Sequence, residues 1–230
     1  MLEQWLHLLF PNVCVLCLKL LLPSEKCCCR SCMADFDPFK NPFEAEQVLR
    51  HIIASRFGEK FEFERGWCHY HFHKKSPLQQ ALHVMKYEGL FNLGTMFGRQ
   101  LGEWMLSGGD IGDIECIVPV PLHRLKKIER SYNQAEKIAE GISQSLQKPV
   151  LPKLLVRKRY TVSQTGLPAE ERKKNPEGAF QAAKGIKVRH VLLVDDVVTT
   201  GATLAAAASE LRHAGVERIS FAAVALVVKE

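Results

Sequence analysis

Val191-Leu192-Leu193-Val194-Asp195-Asp196-Val197-Val198-Thr199-Thr200-Gly201-Ala202-Thr203 is the stretch on which the fold turns. Its first four residues are apolar and predict a buried strand that ends at two adjacent carboxylates. A turn of small and hydroxylated residues follows. It runs into the alanine-rich segment 204–213, which has the pattern of a helix. Strand, small-residue turn and helix start together make an anion site, because backbone N–H groups converge there and the helix dipole adds partial positive charge. A carboxylate beside a bound phosphate would repel it unless the two groups contact different parts of one ligand. The economical division is phosphate in the turn and sugar hydroxyls on Asp195 and Asp196, since an ionised carboxylate is an acceptor suited to hydroxyl donors. A parallel strand merely terminated by Asp-Asp would account for any one of these residues. It does not account for the whole order followed by a helix.

Along its whole length the stretch resembles the phosphoribosyl-pyrophosphate (PRPP) loop of type I phosphoribosyltransferases. The resemblance implies that Asp195 and Asp196 bind the ribose 2′ and 3′ hydroxyls. It also implies that Val197, Val198, Thr199, Thr200, Gly201, Ala202 and Thr203 cradle the 5′-phosphate.

The chain has 230 residues, enough for one α/β domain and a small appendage. No run of eighteen apolar residues occurs, so no membrane insertion is expected. The apolar start is broken by Pro11, Asn12 and Lys19, carries Glu3 where a signal peptide would be basic, and lacks a small-residue cleavage site. A cytoplasmic protein is expected, with Leu2, Trp5, Leu6 and Leu9 spaced as a short amphipathic helix. The net charge of +6 is unevenly placed. Residues 148–189 hold eleven Lys and Arg against three Glu, and residues 123–130 hold four against one. A lysine-rich solvated loop is the rival reading, but both segments flank phosphate-type turns and so favour a polyanion site.

Six of the eight cysteines lie between residues 14 and 32. Cys14 and Cys17 form one CxxC knuckle, Cys29 and Cys32 another, with eleven residues between them. That spacing lets four thiolates surround a tetrahedral Zn²⁺ and leaves no open position for chemistry, so the metal is expected to be structural. Cys28 could replace Cys29 in this set. A redox pair is disfavoured because no βαβ pattern surrounds either knuckle. Cys68 and Cys116 stand alone in apolar stretches as buried thiols.

Residues 35–64 are mixed in character and, with Pro38 and Pro42, suggest a connector. Residues 66–72 predict a strand on which His69, His71 and His73 share a polar face; an exposed face is favoured over a metal site. Leu78, Ala81, Leu82 and Met85 mark one helix, and Phe97, Leu101, Trp104 and Met105 another. Between them lies the turn 86–89, presenting Lys86. A second buried strand, 116–120, delivers the loop Val120, Pro121, Leu122 and His123. A basic run follows, and then a helix with Ser131 as a candidate N-cap. Residues 157–180 lack a period and predict a polar loop. Residues 189–194 and 219–228 are the remaining strands. Alternation of strands and helices predicts a parallel sheet with ligands at the strands' carboxyl ends.

This order of features resembles the ComF/GntX family, the competence-protein branch of the phosphoribosyltransferase fold with an N-terminal zinc ribbon. The matching segments are the cysteine cluster, Lys86 to Gly89, Pro119 to His123, Arg130 to Gln134, the basic loop and the PRPP loop. Two departures occur: Ser131 stands where a glycine is usual, and Lys126 where an arginine is common. The resemblance implies a parallel-sheet α/β fold with a zinc-binding module and connector over residues 1–60 and a phosphoribosyltransferase-like domain over 61–230. It implies Mg-dependent transfer of a 5-phosphoribosyl group from PRPP to a nitrogenous acceptor, with pyrophosphate release. The loop Val120 to His123 would hold pyrophosphate, with Lys86, Arg130 and Arg172 as candidate catalytic cations. Gln164, Arg172 and Asn175 would belong to a closing lid. The alternative is a non-catalytic, PRPP-sensing accessory protein that binds single-stranded DNA and works with DNA-uptake proteins, with Tyr132, Tyr160 and Trp67 as candidate stacking groups. A homodimer is compatible with either. Glutamine-dependent amidotransfer is not expected: it needs an N-terminal nucleophilic cysteine, and the sequence begins Met1-Leu2.

Overall fold

The computed structural model of the protein describes residues 12–58, 61–158 and 178–228. The expected helix near Leu2 to Leu9, Tyr160, and the lid residues Gln164, Arg172 and Asn175 lie outside the described residues. Strands β1 (Gly66–His71), β2 (Cys116–Pro119), β5 (His190–Val198) and β6 (Arg218–Leu226) form a parallel sheet in the order β1-β6-β5-β2. Strands β3 (Leu155–Arg157) and β4 (Phe180–Ala182) pair separately as an antiparallel ribbon. The described helices are α1 (Arg30–Ala34), α2 (Pro42–Phe57), α3 (Pro77–Tyr87), α4 (Phe91–Ser107), α5 (Arg124–Arg130), α6 (Gln134–Leu146) and α7 (Ala202–His213).

Side chains alternate across a strand, and helices cover both faces of this sheet, so the central strands are apolar on both sides. Ile117, Leu192, Val194 and Val224 pack with α3, α4 and α6. Val118, Val191, Leu193 and Ala223 pack with α2 and α7. The register Pro119↔Val194 brings the carboxyl ends of β2 and β5 to one edge, where the loops that follow them meet.

Three sequence expectations need correction. First, β5 does not stop at the acids. It continues to Val198 because β6 offers a continuous partner, with Asp195 opposite Ala223 and Val198 opposite Leu226. Second, residues 35–64 are more than a connector. Within them α2 begins at an Asn41 cap and buries Leu49 and Ile53 against the sheet. Third, Ser131 is not an N-cap. It closes the short helix α5 in the left-handed region at φ 66°, a conformation that costs an L-residue with a side chain but suits glycine. The cap of α6 is Asn133, whose side chain accepts from the Ala135 amide.

The amino-terminal cysteine segment is not a loose appendage. Cys14, Leu21, Cys28 and Phe36 belong to the same buried cluster as α3 and α4. Among the described residues, no helix is long and apolar enough to cross a membrane. At the amino ends of the strands, His190 Nε2 lies 2.9 Å from Ser220 Oγ and His190 Nδ1 lies 3.1 Å from Asp113. This has the order of a hydrolase triad, but Ser220 is 0% and His190 1% exposed, so no substrate reaches the hydroxyl. The group acts as a polar strut.

Helices α4 and α6 cross at backbone contact. A Cβ on Gly98 would lie 2.0 Å from the Ile138 carbonyl oxygen, and one on Gly141 would lie 2.2 Å from that of Thr95. The obstacle is backbone in both cases, so no rotamer change relieves it. Alanine in a helix normally gains about 1 kcal/mol over glycine. Here the clash outweighs that gain, and Gly98→Ala is expected to destabilise the protein by about 3 kcal/mol in denaturant titration. A variant as stable as the parent would mean the helices are not in contact.

Candidate PRPP-type site

The site is assembled at the carboxyl edge of the sheet. Asp195 and Asp196 lie in the carboxyl-terminal half of β5. Lys86 reaches them from the end of α3, with Nζ 2.8 Å from Asp196 Oδ2. Arg130 comes from the end of α5, where it contacts Gln134 Oε1 at 3.2 Å and the Tyr87 hydroxyl at 3.3 Å. All four line one cavity of about 210 Å³, together with Val120, Pro121 and Leu122 of the loop after β2, Val197 and Thr203, and Arg157 from β3. Asn133 ties that loop to α6, its side-chain nitrogen donating to the Val120 carbonyl at 3.0 Å.

The expected PRPP-loop residues divide between two cavities. Thr203 faces the acids, whereas Thr199 and Thr200 face a neighbouring space of about 460 Å³ bounded by Val48, His51 and Ile52 of α2. The amide of Val197 is already taken by Asp196 Oδ1 at 2.6 Å, and that of Asp196 by Asp195 Oδ1 at 2.9 Å. The amides suited to an anion are therefore those opening α7, which has no side-chain cap. Gly201 at its start has φ 71°, and a Cβ there would meet Ile53 Cγ1 at 2.8 Å, so α2 packs directly beneath the turn. His123 accepts from the Leu125 amide at 3.3 Å and caps α5; it is not among the residues lining the smaller cavity.

Charge is the clearest property of this cavity. Burial, and then repulsion by Asp196, push the Asp195 carboxyl up to about 7, against stabilisation by the Asp196 amide, Lys86 and Arg157. Burial opposes the charge on Lys86, but Asp196 outweighs it and holds the ammonium above the ordinary lysine value. Lys126 is lowered by burial and by Arg130 and Arg157. Cations are thus crowded here beyond what two carboxylates neutralise. Arg130 Nε and Gln134 Nε2 are buried donors without a hydrogen-bond partner among the described residues. Such groups are expensive unless a ligand satisfies them. An anion with several acceptor oxygens fits this set.

The cysteine quartet is a separate site. The sulfur atoms of Cys14, Cys17, Cys29 and Cys32 lie within 4.8 Å of one another. Cys17 and Cys29 are 3.7 Å apart, and zinc–sulfur bonds of about 2.3 Å in a tetrahedron give roughly 3.8 Å between sulfurs. The quartet can hold a zinc ion. Cys28 is buried outside it, with its thiol pushed up to about 12 by burial and the neighbouring cysteines. Burial raises Cys14, but hydrogen bonds from the amides of Cys29, Cys17 and Leu16 outweigh this and bring it to about 6.

Comparison with known proteins finds sequence similarity to phosphoribosyl transferases and competence proteins. The phosphoribosyl transferase domain family matches residues 120–228. Competence protein F of Haemophilus influenzae is 41% identical over 108 residues, which is 46% of this chain and 47% of that protein. Residues 120–228 are thus similar to a phosphoribosyl transferase domain, in a chain that is similar to a competence protein. DNA utilization protein YhgH of Escherichia coli K12 is 30% identical over 142 residues, 60% of this chain and 63% of that one. The chain therefore spans about half to less than two thirds of the length of these relatives. A solved glutamine PRPP amidotransferase from B. subtilis overlays with TM-score 0.37 and 17% identity, over 61% of this chain and 26% of that chain.

Sequence reasoning missed Arg157, Asn133 and Gln134. Arg157 looked like the start of a basic loop; only the β3–β4 pairing turns it into the cavity. Of the candidate stacking groups, Trp67 is 1% exposed and the Tyr132 hydroxyl donates to the Met85 carbonyl, so both are structural. Tyr87 and Phe91 are the exposed rings beside the site.

Because Asp195 titrates near 7 in the folded protein and near 4 when unfolded, the folded state holds a proton between those values that the unfolded state releases. Stability falls as pH rises through that window. Asp195→Asn removes this penalty, so its stability advantage should grow from near zero at pH 4 to on the order of 4 kcal/mol at pH 8 in denaturant titrations. A pH-independent difference would rule out a protonated Asp195.

Proposed function

We propose that this protein binds PRPP in the cavity between β5 and α7 and transfers its 5-phosphoribosyl group to a nitrogenous acceptor. The C1–oxygen bond to pyrophosphate breaks and a carbon–nitrogen bond forms. One observation carries the reading: two adjacent carboxylates, three cations from separate elements and an uncapped helix start converge on the smaller cavity. Asp195 and Asp196 accept from the ribose hydroxyls. The first amides of α7 and the Thr203 hydroxyl hold the 5′-phosphate. Lys86, Arg130 and Arg157 stabilise negative charge as it gathers on the leaving pyrophosphate, and fixed cations out of bulk water are strong in that role. The carboxylate and substrate oxygens suit a hard cation, and Mg²⁺ bound with PRPP would neutralise part of that charge. Zn²⁺ in the cysteine quartet would hold residues 14–32 in shape without taking part in the chemistry. All eight cysteines are free, which favours a reducing, cytoplasmic setting.

A second reading, single-stranded DNA binding in DNA uptake, rests on the site's rim. Tyr87 and Phe91 are each 52% exposed, with Arg130 5.2 Å from the Tyr87 ring centre and Lys137 5.9 Å from that of Phe91. Exposed rings with adjoining cations make a stacking platform for bases. The names of the relatives, a competence protein and a DNA utilization protein, point the same way.

Calorimetric titration with PRPP and Mg²⁺ tests the first reading. The Asp195→Asn, Asp196→Asn double variant is expected to lose at least about 100-fold in affinity, equivalent to about 2.7 kcal/mol, while keeping its circular dichroism. Retained affinity would refute the ribose assignment. For the second, Tyr87→Ala with Phe91→Ala should weaken binding of a fluorescent oligothymidylate by about tenfold or more at a fixed salt concentration. Equal binding by variant and parent would remove the platform.

A further inference from the structure

The segment after α1 runs back along the outer edge of β1. Pro38 pairs with Tyr70 in an antiparallel bridge, the His71 amide donates to the Asp37 carbonyl at 2.8 Å, and the Phe39 amide donates to the His69 carbonyl at 3.0 Å. Asp37 is thereby placed directly across from His71. Just beyond the strand the chain turns at Lys74 and Lys75, with Lys75 left-handed at φ 62° and the Ser76 hydroxyl donating to the His73 carbonyl at 2.9 Å. That turn folds His73 back over the same carboxylate. His71 Nδ1 lies 3.0 Å and His73 Nε2 2.8 Å from one oxygen, Asp37 Oδ2. The edge of the Phe39 ring stands against the His71 imidazole at 3.8 Å between centres and fixes its plane.

His69 does not belong to this group, although its spacing put it on the same face. It stacks between Tyr70 and Trp104 at 4.1 and 4.8 Å, and burial lowers its imidazole to about 4. The expected polar face therefore splits into one packed histidine and two that meet an acid from a distant part of the chain.

We propose that Asp37, His71 and His73 form a site for a borderline divalent cation such as Zn²⁺, Co²⁺ or Ni²⁺, independent of the cysteine quartet. The three ligand atoms lie within 4.8 Å of one another. A cation about 2.1 Å from each would set them roughly 3.0–3.4 Å apart; the His71 separation of 3.0 Å already fits, and that of His73, at 2.8 Å, is slightly short. Closing the third asks only for side-chain rotation of His73, which lies outside the strand and is 46% exposed. Two imidazoles and one carboxylate suit a borderline ion better than Mg²⁺ or Ca²⁺, which prefer all-oxygen sets. With three protein ligands on an exposed edge, coordination positions remain for water or a small ligand, unlike the closed quartet. His71 is in register with Leu226, and Leu226 with Val198, so the site stands at the carboxyl edge of the sheet, two strands from the end of β5. Lys74 and Lys75 next to it temper the affinity.

The test is calorimetric titration of the full chain, first saturated at its tightest metal site, with Zn²⁺ and in parallel with Co²⁺. The parent is expected to bind one further equivalent in the micromolar range. Its cobalt spectrum should gain ligand-field bands without additional sulfur-to-cobalt charge transfer. His71→Gln with His73→Gln should lose that equivalent, and Asp37→Asn and His73→Gln singly should weaken it at least tenfold. His73→Gln serves as the control for folding, because its side chain lies outside the sheet. The proposal is overturned if the parent binds no further equivalent below about 100 μM, or if the double variant binds it as tightly. It also fails if the new cobalt signal carries sulfur charge transfer.

Discussion

Asp195 and Asp196 are neighbours in β5, two residues short of its carboxyl end and largely removed from bulk water. Two neighbouring carboxylates in such a place repel each other and lose hydration. The strand register leaves them no escape, because Asp195 is held opposite Ala223 by the β5–β6 pairing. Everything else at the carboxyl edge answers that constraint. One acid is pushed toward its neutral form, the other takes Lys86 as an ion partner, and Arg130 and Arg157 are drawn in from elements far apart in sequence. The cations then exceed the acids. The resulting surplus of buried donors beside the helix start is what the proposed PRPP site rests on.

Holding those cations in place depends on packing at a distance from the chemistry. Lys86 ends α3, which lies on the face built by α4 and α6, and those two helices approach closely only because Gly98 meets Gly141. Arg130 is oriented by Gln134 and Tyr87, at the junction where Ser131 reverses the chain in a left-handed conformation. On the other face, Ile53 of α2 supports Gly201 in the turn that opens α7. The amino-terminal third of the chain reaches both faces of the sheet, its cysteine segment packing with α3 and α4 and its helix α2 with α7.

That third also carries two clusters of ligand-bearing side chains with opposite character. The cysteine quartet is sulfur-only, packed against the core, and closed. The Asp37, His71 and His73 group is nitrogen and oxygen, on an open edge, with room for further ligands. They differ because the first is made by two knuckles within one short segment and the second by a strand edge meeting a returning chain.

The sequence alone determined the strand, turn and helix of residues 191–213 and the parallel α/β class. It also determined the two CxxC knuckles, since each depends on residues close together in the chain. Periodicity and turn chemistry are local, and a local signal survives in one dimension. The tertiary structure decided which cations serve the acids. Arg157 faces the cavity only because β3 pairs with β4, and His123 is a cap because the basic run after β2 forms a helix of its own. It also separated His69 from His71 and His73, and chose Cys29 over Cys28. Apart from the local cap at His123, these outcomes turn on contacts between segments distant in the chain, where burial and charge are set by the partner and not by the neighbour in sequence.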